Sequence, residues 1–171
     1  MRSLFAFVCL MLITASTTAQ VTPASEQKYL EIVTVDSKVI HLSVADLAKY
    51  KQVGASVTAD DGTKVLYTGP LLRDVLLKFG ILSSGPHIRG QALHQILLVS
   101  ARDGYSVPFT IGEIDSNFGN LKIVLAIKMD GKPLFNYEGP FRIAIPTDKE
   151  GARSVRMVSS IRVVRLEEKG K

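Results

Sequence analysis

The chain's one cysteine, Cys9, sits inside an unbroken apolar run from Leu4 to Ile13, and nothing after it offers a thiol. Whatever folds beyond that run must stand on a buried core, without disulfides, CxxC redox chemistry, thiolate zinc sites or a cysteine nucleophile. At 171 residues the chain can bury such a core, and its length argues for a single domain.

The apolar run reads as an export signal. Arg2 precedes it, small and polar residues from Thr14 to Gln20 follow it, and Thr17 and Ala19 stand where signal peptidase reads. This order predicts a signal peptide over residues 1–19, cleaved after Ala19, and a mature protein in the periplasm or outside the cell. A run of about ten apolar residues is too short to cross about 30 Å of hydrocarbon. No later stretch is long and apolar enough to span a membrane. Arg2 stands alone rather than in a twin-arginine pair. That favours a route in which the chain crosses unfolded and acquires any cofactor outside.

Loss of Arg2 takes the formal charge from +5 to +4. The remaining basic residues crowd the last third, at Arg142, Lys149, Arg153, Arg156, Arg162 and Arg165. In an exported protein this points to a small anionic or phosphorylated ligand rather than a nucleic acid, and it singles out no protein partner. The alternative is a solvated strand face ending in a frayed tail.

Along the chain, residues 20–28 read as a flexible polar linker, 29–166 as the folded domain and 167–171 as a disordered tail. Tyr29 to Val35 is rich in β-branched residues and predicts a strand. Ser43 with Asp46 resembles a capping box opening a short helix. Val57 to Tyr67 predicts a hairpin closed at Asp61-Gly62. Pro70 is expected near the first position of a helix whose apolar face is Leu71, Leu72, Val75, Leu76 and Phe79, stopped at Gly80. After a looser 83–90 stretch, strands are expected at Ile96–Ser100 and Tyr105–Phe109, turned at Asp103-Gly104. Thr110 with Glu113 caps another short helix. Lys122–Met129, Phe141–Ile145 and Ile161–Leu166 complete the strands. The helical gaps are too few for regular βαβ winding, so the class is α+β with strands predominating.

Few constellations carry chemistry. His41, His87 and His94 lack metal-ligand spacing, and the serines lack a nucleophile elbow. Glu113 and Asp115 are close neighbours on a short helix and read as solvent-facing. No Gly-rich phosphate loop of the Walker or dinucleotide type is present. One segment differs. The strand from Gly139 to Pro146 runs through a short loop into Gly151-Ala152-Arg153-Ser154-Val155-Arg156. Its glycine permits close backbone approach or positive φ. Two arginines three apart can converge on one anion if the segment coils, since the planar guanidinium suits phosphate. The alternative is arginines packing over a strand.

GPFRIAIP followed by GARSVRMVSSIRVV resembles the end of the molybdopterin-binding domain of sulfite oxidases and related oxidoreductases. VLAIKMDGKPL (Val124 to Leu134), YTGPLLRDVLLKFGI (Tyr67 to Ile81) and SARDGYSVPF (Ser100 to Phe109) resemble its other segments, in order, over about Val33 to Val164. The resemblance implies a stand-alone sulfite-oxidase-type α+β fold and a molybdopterin-type cofactor. It implies that Gly151, Arg153 and Arg156, with backbone around Ser154, would hold the cofactor phosphate.

Two departures stand out. Catalytic members of that family carry a molybdenum-binding cysteine ahead of the Gly-x-x-Leu-x-Asp helix, where this chain has Ala55 to Thr68 and no cysteine. Thiolate is the soft ligand such a metal takes, and neither Asp60 nor Asp61 replaces it in kind. The family also often has Asp-His before the Gly-Pro strand, where this chain has Tyr137-Glu138. The expected function is therefore an exported, non-catalytic or degenerate binder of a phosphorylated or anionic ligand, with no catalytic and no metal-ligating residue. One alternative is a molybdopterin-dependent oxidoreductase whose metal is held by the pterin alone. Another is a partner-binding subunit whose pocket is filled by its own side chains.

Overall fold

Leu30–Val33 (β1) buries Leu30, Ile32 and Val33 and ends in a turn at Ser37. The computed structural model describes residues 27–59, 61–82 and 90–167. The expected signal peptide, most of the expected linker, Asp60, His87 and residues 168–171 of the expected tail lie outside the described residues. Gln27, at the linker's end, donates through Nε2 to the carbonyls of Tyr29 and Val158, both at 2.9 Å.

Val39–Leu42 (β2) returns antiparallel to β1. Ser43 and Asp46 form the expected capping box of Val44–Ala48 (α1). Gln52–Thr58 (β3) and Lys64–Pro70 (β4) make the expected hairpin, turned at Gly62 with φ +82°. The ladder runs further than its sequence signal, back to a Gln52–Pro70 pair. Pro70 is thus the last residue of a strand rather than the first of a helix. Leu71 bridges Val124 and the Leu72 N–H donates to the Ile123 carbonyl at 2.8 Å. The chain therefore stays in the sheet for one more residue before Leu72–Lys78 (α2) begins. Gly80, at φ +68°, ends the turn as expected.

Gln95–Ala101 (β5) and Ser106–Thr110 (β6) pair across Gly104, followed by Ile111–Ile114 (α3) with its Thr110–Glu113 capping box. The expected strand at Lys122–Met129 is two strands in two sheets. Val124–Ala126 (β7) pairs with Arg142–Ala144 (β10), whereas Lys128–Met129 (β8) pairs with β4 and with Lys132–Pro133 (β9). The break falls at Ile127, whose N–H donates to the Thr68 carbonyl of β4. Val158–Arg165 (β11) closes the fold, parallel to β1 and antiparallel to β5.

The main sheet has the order β2-β1-β11-β5-β6, so the last strand of the chain lies at its centre. Its buried face packs against Leu72, Val75 and Leu76 of α2, Ile111 and Ile114 of α3, and Phe141 and Ile143. Each such side chain stabilises the fold by roughly 1.5–3 kcal/mol when fully buried. A smaller cluster of Ala55, Tyr67, Val124, Ala126, Leu134 and Ala144 lies under the hairpin sheet. The architecture is the expected α+β one.

Candidate functional site

The segment after β10 folds back on that strand. The Ile143 N–H donates to the Val155 carbonyl at 2.8 Å. Between them Gly151–Arg153 forms one turn of 3₁₀ helix, closed by Ser154 N–H on the Gly151 carbonyl. The turn does not continue: Ser154 adopts ψ 75° and Met157 takes φ +49° before β11 starts. The β5–β6 turn meets this segment from the side. The Arg102 N–H donates to the Met157 carbonyl, and the Tyr105 hydroxyl donates to the Ala152 carbonyl at 2.7 Å.

A cavity of about 270 Å³ opens where these segments meet, and Gly151, Ser154, Arg156, Tyr105 and Asp103 line it. Gly151 has no positive φ and, among the described residues, no neighbour within 4 Å of where a Cβ would stand, so its backbone is open on that side. Ser154 is buried, and its Oγ has no hydrogen-bond partner among the described residues. A buried unpartnered hydroxyl costs about 1–3 kcal/mol. The Arg156 side chain is 59% exposed and reaches Glu138 Oε1 only at 3.7 Å. Asp103 brings one carboxylate to the lining and receives the Tyr105 N–H through Oδ1. One guanidinium and one carboxylate thus line the cavity.

Arg153 does not line the cavity. Its Nε and Nη2 donate to Asp148 Oδ2 and Oδ1 at 2.9 and 2.7 Å, and its Nη1 donates to Glu113 Oε1 at 3.0 Å. The guanidinium also lies 5.6 Å from the Phe109 ring centre. Bonding to Asp148, foremost, holds its pKa up. Burial on its own would raise the Glu113 carboxyl, but bonds from the Thr110 backbone and hydroxyl and from Arg153 outweigh it and hold the group below its ordinary range. Glu113 and Arg153 are both charged at neutral pH. The expected convergence of Arg153 and Arg156 is not formed, because the coil lasts a single turn and sends the two guanidiniums to different carboxylates.

Sequence reasoning missed the groups around the cavity. Glu138, four residues before Arg142, pairs with that arginine through Oε2, and Arg142 lies 4.4 Å over the Tyr67 ring. Asp103 and Tyr105 carry no signal beyond their turn. Glu113 and Asp148 gain their role only when α3 and the 145–150 loop meet. The two described histidines do not converge: His41 pairs with Glu31 at 3.5 Å on the exposed edge, and His94 ends a 3₁₀ turn. Among the described residues no group of three His, Cys, Asp or Glu side chains is placed to hold a metal, and no described helix is long and apolar enough to cross a membrane.

A family model described as the oxidoreductase molybdopterin binding domain matches residues 19–171. No curated protein matches the chain.

Proposed function

The chain belongs to the oxidoreductase molybdopterin-binding domain family, and from that premise we propose that it is an exported, non-catalytic member that binds a phosphorylated or otherwise anionic ligand. The observation that carries the reading is the buried Ser154 hydroxyl, unpartnered among the described residues and beside the open backbone of Gly151 and the Arg156 guanidinium. A hydroxyl donor, an uncovered backbone and a guanidinium at one cavity suit a phosphate group. At about 270 Å³ the cavity falls below the roughly 300–1,000 Å³ of drug-sized sites, so it suits a head group rather than a whole nucleotide-sized ligand.

These residues fit the phosphate end of a pterin cofactor, with Ser154 and Arg156 holding it and Arg153 bracing the turn from behind. They do not fit a metal bound to the protein. When bound, such a cofactor supplies the sulfur ligands and redox chemistry of molybdenum. The chain itself adds no thiolate, because its one cysteine is Cys9. The residues at hand can bind and orient an anion, and no redox step is assigned to them.

Titration with inorganic phosphate at fixed ionic strength tests this reading. Charge-assisted hydrogen bonds contribute roughly 1.5–3 kcal/mol, so Arg156→Ala should weaken binding at least about tenfold. Ser154→Ala should weaken it less. Asp103→Asn, which keeps an acceptor for the Tyr105 N–H while removing the charge, should tighten it. Arg162→Ala, which removes one positive charge at another place, is the control for charge alone. Equal weakening in the control would mean a diffuse basic face, and no binding by the parent would remove the ligand.

A further inference from the structure

Glu138 stands in the turn at 135–139 that leads from Leu134 towards β10, and its carboxylate meets three donors at once. Oε2 accepts from Arg142 Nη1 and, at 3.4 Å, from the Tyr67 hydroxyl, while Oε1 lies 3.7 Å from Arg156 Nη1. The Arg142 side chain is only 11% exposed. Its Nε is buried without a partner among the described residues, so one donor of the fork is still unused. A phenol is protonated at neutral pH in any case, and burial, foremost, pushes that of Tyr67 further up. Two guanidiniums and a phenol converging on one carboxylate make a set of walls that suits a small oxyanion equally well.

The turn that carries Glu138 has its tip outside the core. Its own main chain closes with Glu138 N–H on the Phe135 carbonyl, and Arg102 Nη2 donates to the Asn136 and Gly139 carbonyls at 3.2 and 2.9 Å. Phe135 and Tyr137 stand 62% and 77% exposed, so the turn leaves its two large apolar side chains largely outside the core. Segments with few buried apolar contacts are the ones that open at low cost.

We propose that Arg142, Arg156 and Tyr67 form a second oxyanion site whose resident ligand is the chain's own Glu138 carboxylate. A phosphate- or sulfate-sized anion enters by displacing Glu138 with its turn. The proposal rests on the anion-binding reading only through Arg156, which lines the cavity and also contacts Glu138. Arg142 is the fixed arm of the site, and Arg156, loosely paired and largely exposed, is the arm that moves between the two. Glu138 thereby sets the affinity of both: while its carboxylate is in place it neutralises the guanidinium that an incoming anion needs.

Glu138→Gln keeps the shape of the side chain and removes its charge. An anion that must displace a paired carboxylate loses about tenfold or more in affinity, because one charge-assisted hydrogen bond is given up for each one formed. E138Q should therefore bind inorganic phosphate at least about tenfold more tightly than the parent at matched ionic strength. Phosphate should also raise the Tm of E138Q more than that of the parent. Adding Arg156→Ala to E138Q should erase the gain. If E138Q fails to fold by circular dichroism, Glu138→Asp replaces it. The shorter carboxylate keeps a charge beside Arg142 and withdraws from Arg156, and the gain should then be at least about threefold. A parent that binds phosphate with unchanged affinity in a folded Glu138 variant would overturn the internal-ligand proposal and leave the cavity reading standing. A gain that survives Arg156→Ala would overturn it as well. A parent that does not bind while E138Q does would support it and deprive the cavity of a ligand of its own. Silence in both proteins would overturn both ideas.

Discussion

Replacing Gly69 with alanine is expected to cost the fold about 3 kcal/mol or more. Gly69 lies in β4 where the backbone of β7 crosses against it, and a Cβ there would stand 2.0 Å from the Leu125 carbonyl oxygen and 2.8 Å from the Ala126 Cα. Both neighbours are main chain, so no side chain can swing aside and the strands themselves must part. Overpacking a tight site costs about 1–3 kcal/mol and occasionally more, and a clash with backbone belongs at the upper end. The same crossing carries the Leu71–Val124 bridge and the Leu72–Ile123 hydrogen bond, so parting the strands also loosens the start of α2. Gly112→Ala is the control, because among the described residues its Cβ would meet only the Leu93 side chain, at an ordinary 3.9 Å. Chemical denaturation of both variants measures the difference. A Gly69→Ala loss below about 0.5 kcal/mol, the range of ordinary surface changes, would show that β4 and β7 do not approach this closely.

Leu76→Ala should come next in size, at about 2–5 kcal/mol, as deletion of a buried leucine side chain leaves a cavity that relaxes only in part. Leu76 is fully buried, together with Leu72 and Val75 on the same face of α2, and all three belong to the core that includes the main sheet. Phe79, just beyond the helix, is only partly buried against that core, so Phe79→Ala should cost less. The order of the two losses reads out the helix face. A Leu76→Ala loss under about 0.5 kcal/mol would put the wrong side of α2 against the sheet.

The features legible in the sequence are the ones decided over a few residues. Both capping boxes need only a hydroxyl and a carboxylate three apart, and Ser43–Asp46 and Thr110–Glu113 form as their spacing implies. The turns at Gly62 and Gly104 are local in the same sense. Pro70 and the 122–129 stretch are not. Pro70 can open a helix by its own chemistry, but pairing with Gln52 and the bridge from Leu71 keep it in a strand. Ile127 looks like any strand residue, yet the chain changes sheets there because Thr68 captures its N–H. The candidate site divides in the same way. Gly151, Ser154 and Arg156 are found together from the Gly-Ala-Arg-x-Val-Arg pattern. Arg153 parts from them because Asp148 and a glutamate forty residues away meet its guanidinium first.

The central claim is that this family fold acts as a binder, without a metal fixed by the chain. It is tested most directly by the molybdenum and pterin content of the protein purified from its native compartment. No thiolate follows Cys9 in the sequence, and a soft sulfur ligand from the protein is what would fix the metal. Elemental mass spectrometry should therefore find molybdenum well below one atom per chain, whether or not a phosphorylated pterin is present. Stoichiometric molybdenum that survives dialysis would contradict the account and make the chain a molybdopterin enzyme whose metal is held by the pterin alone.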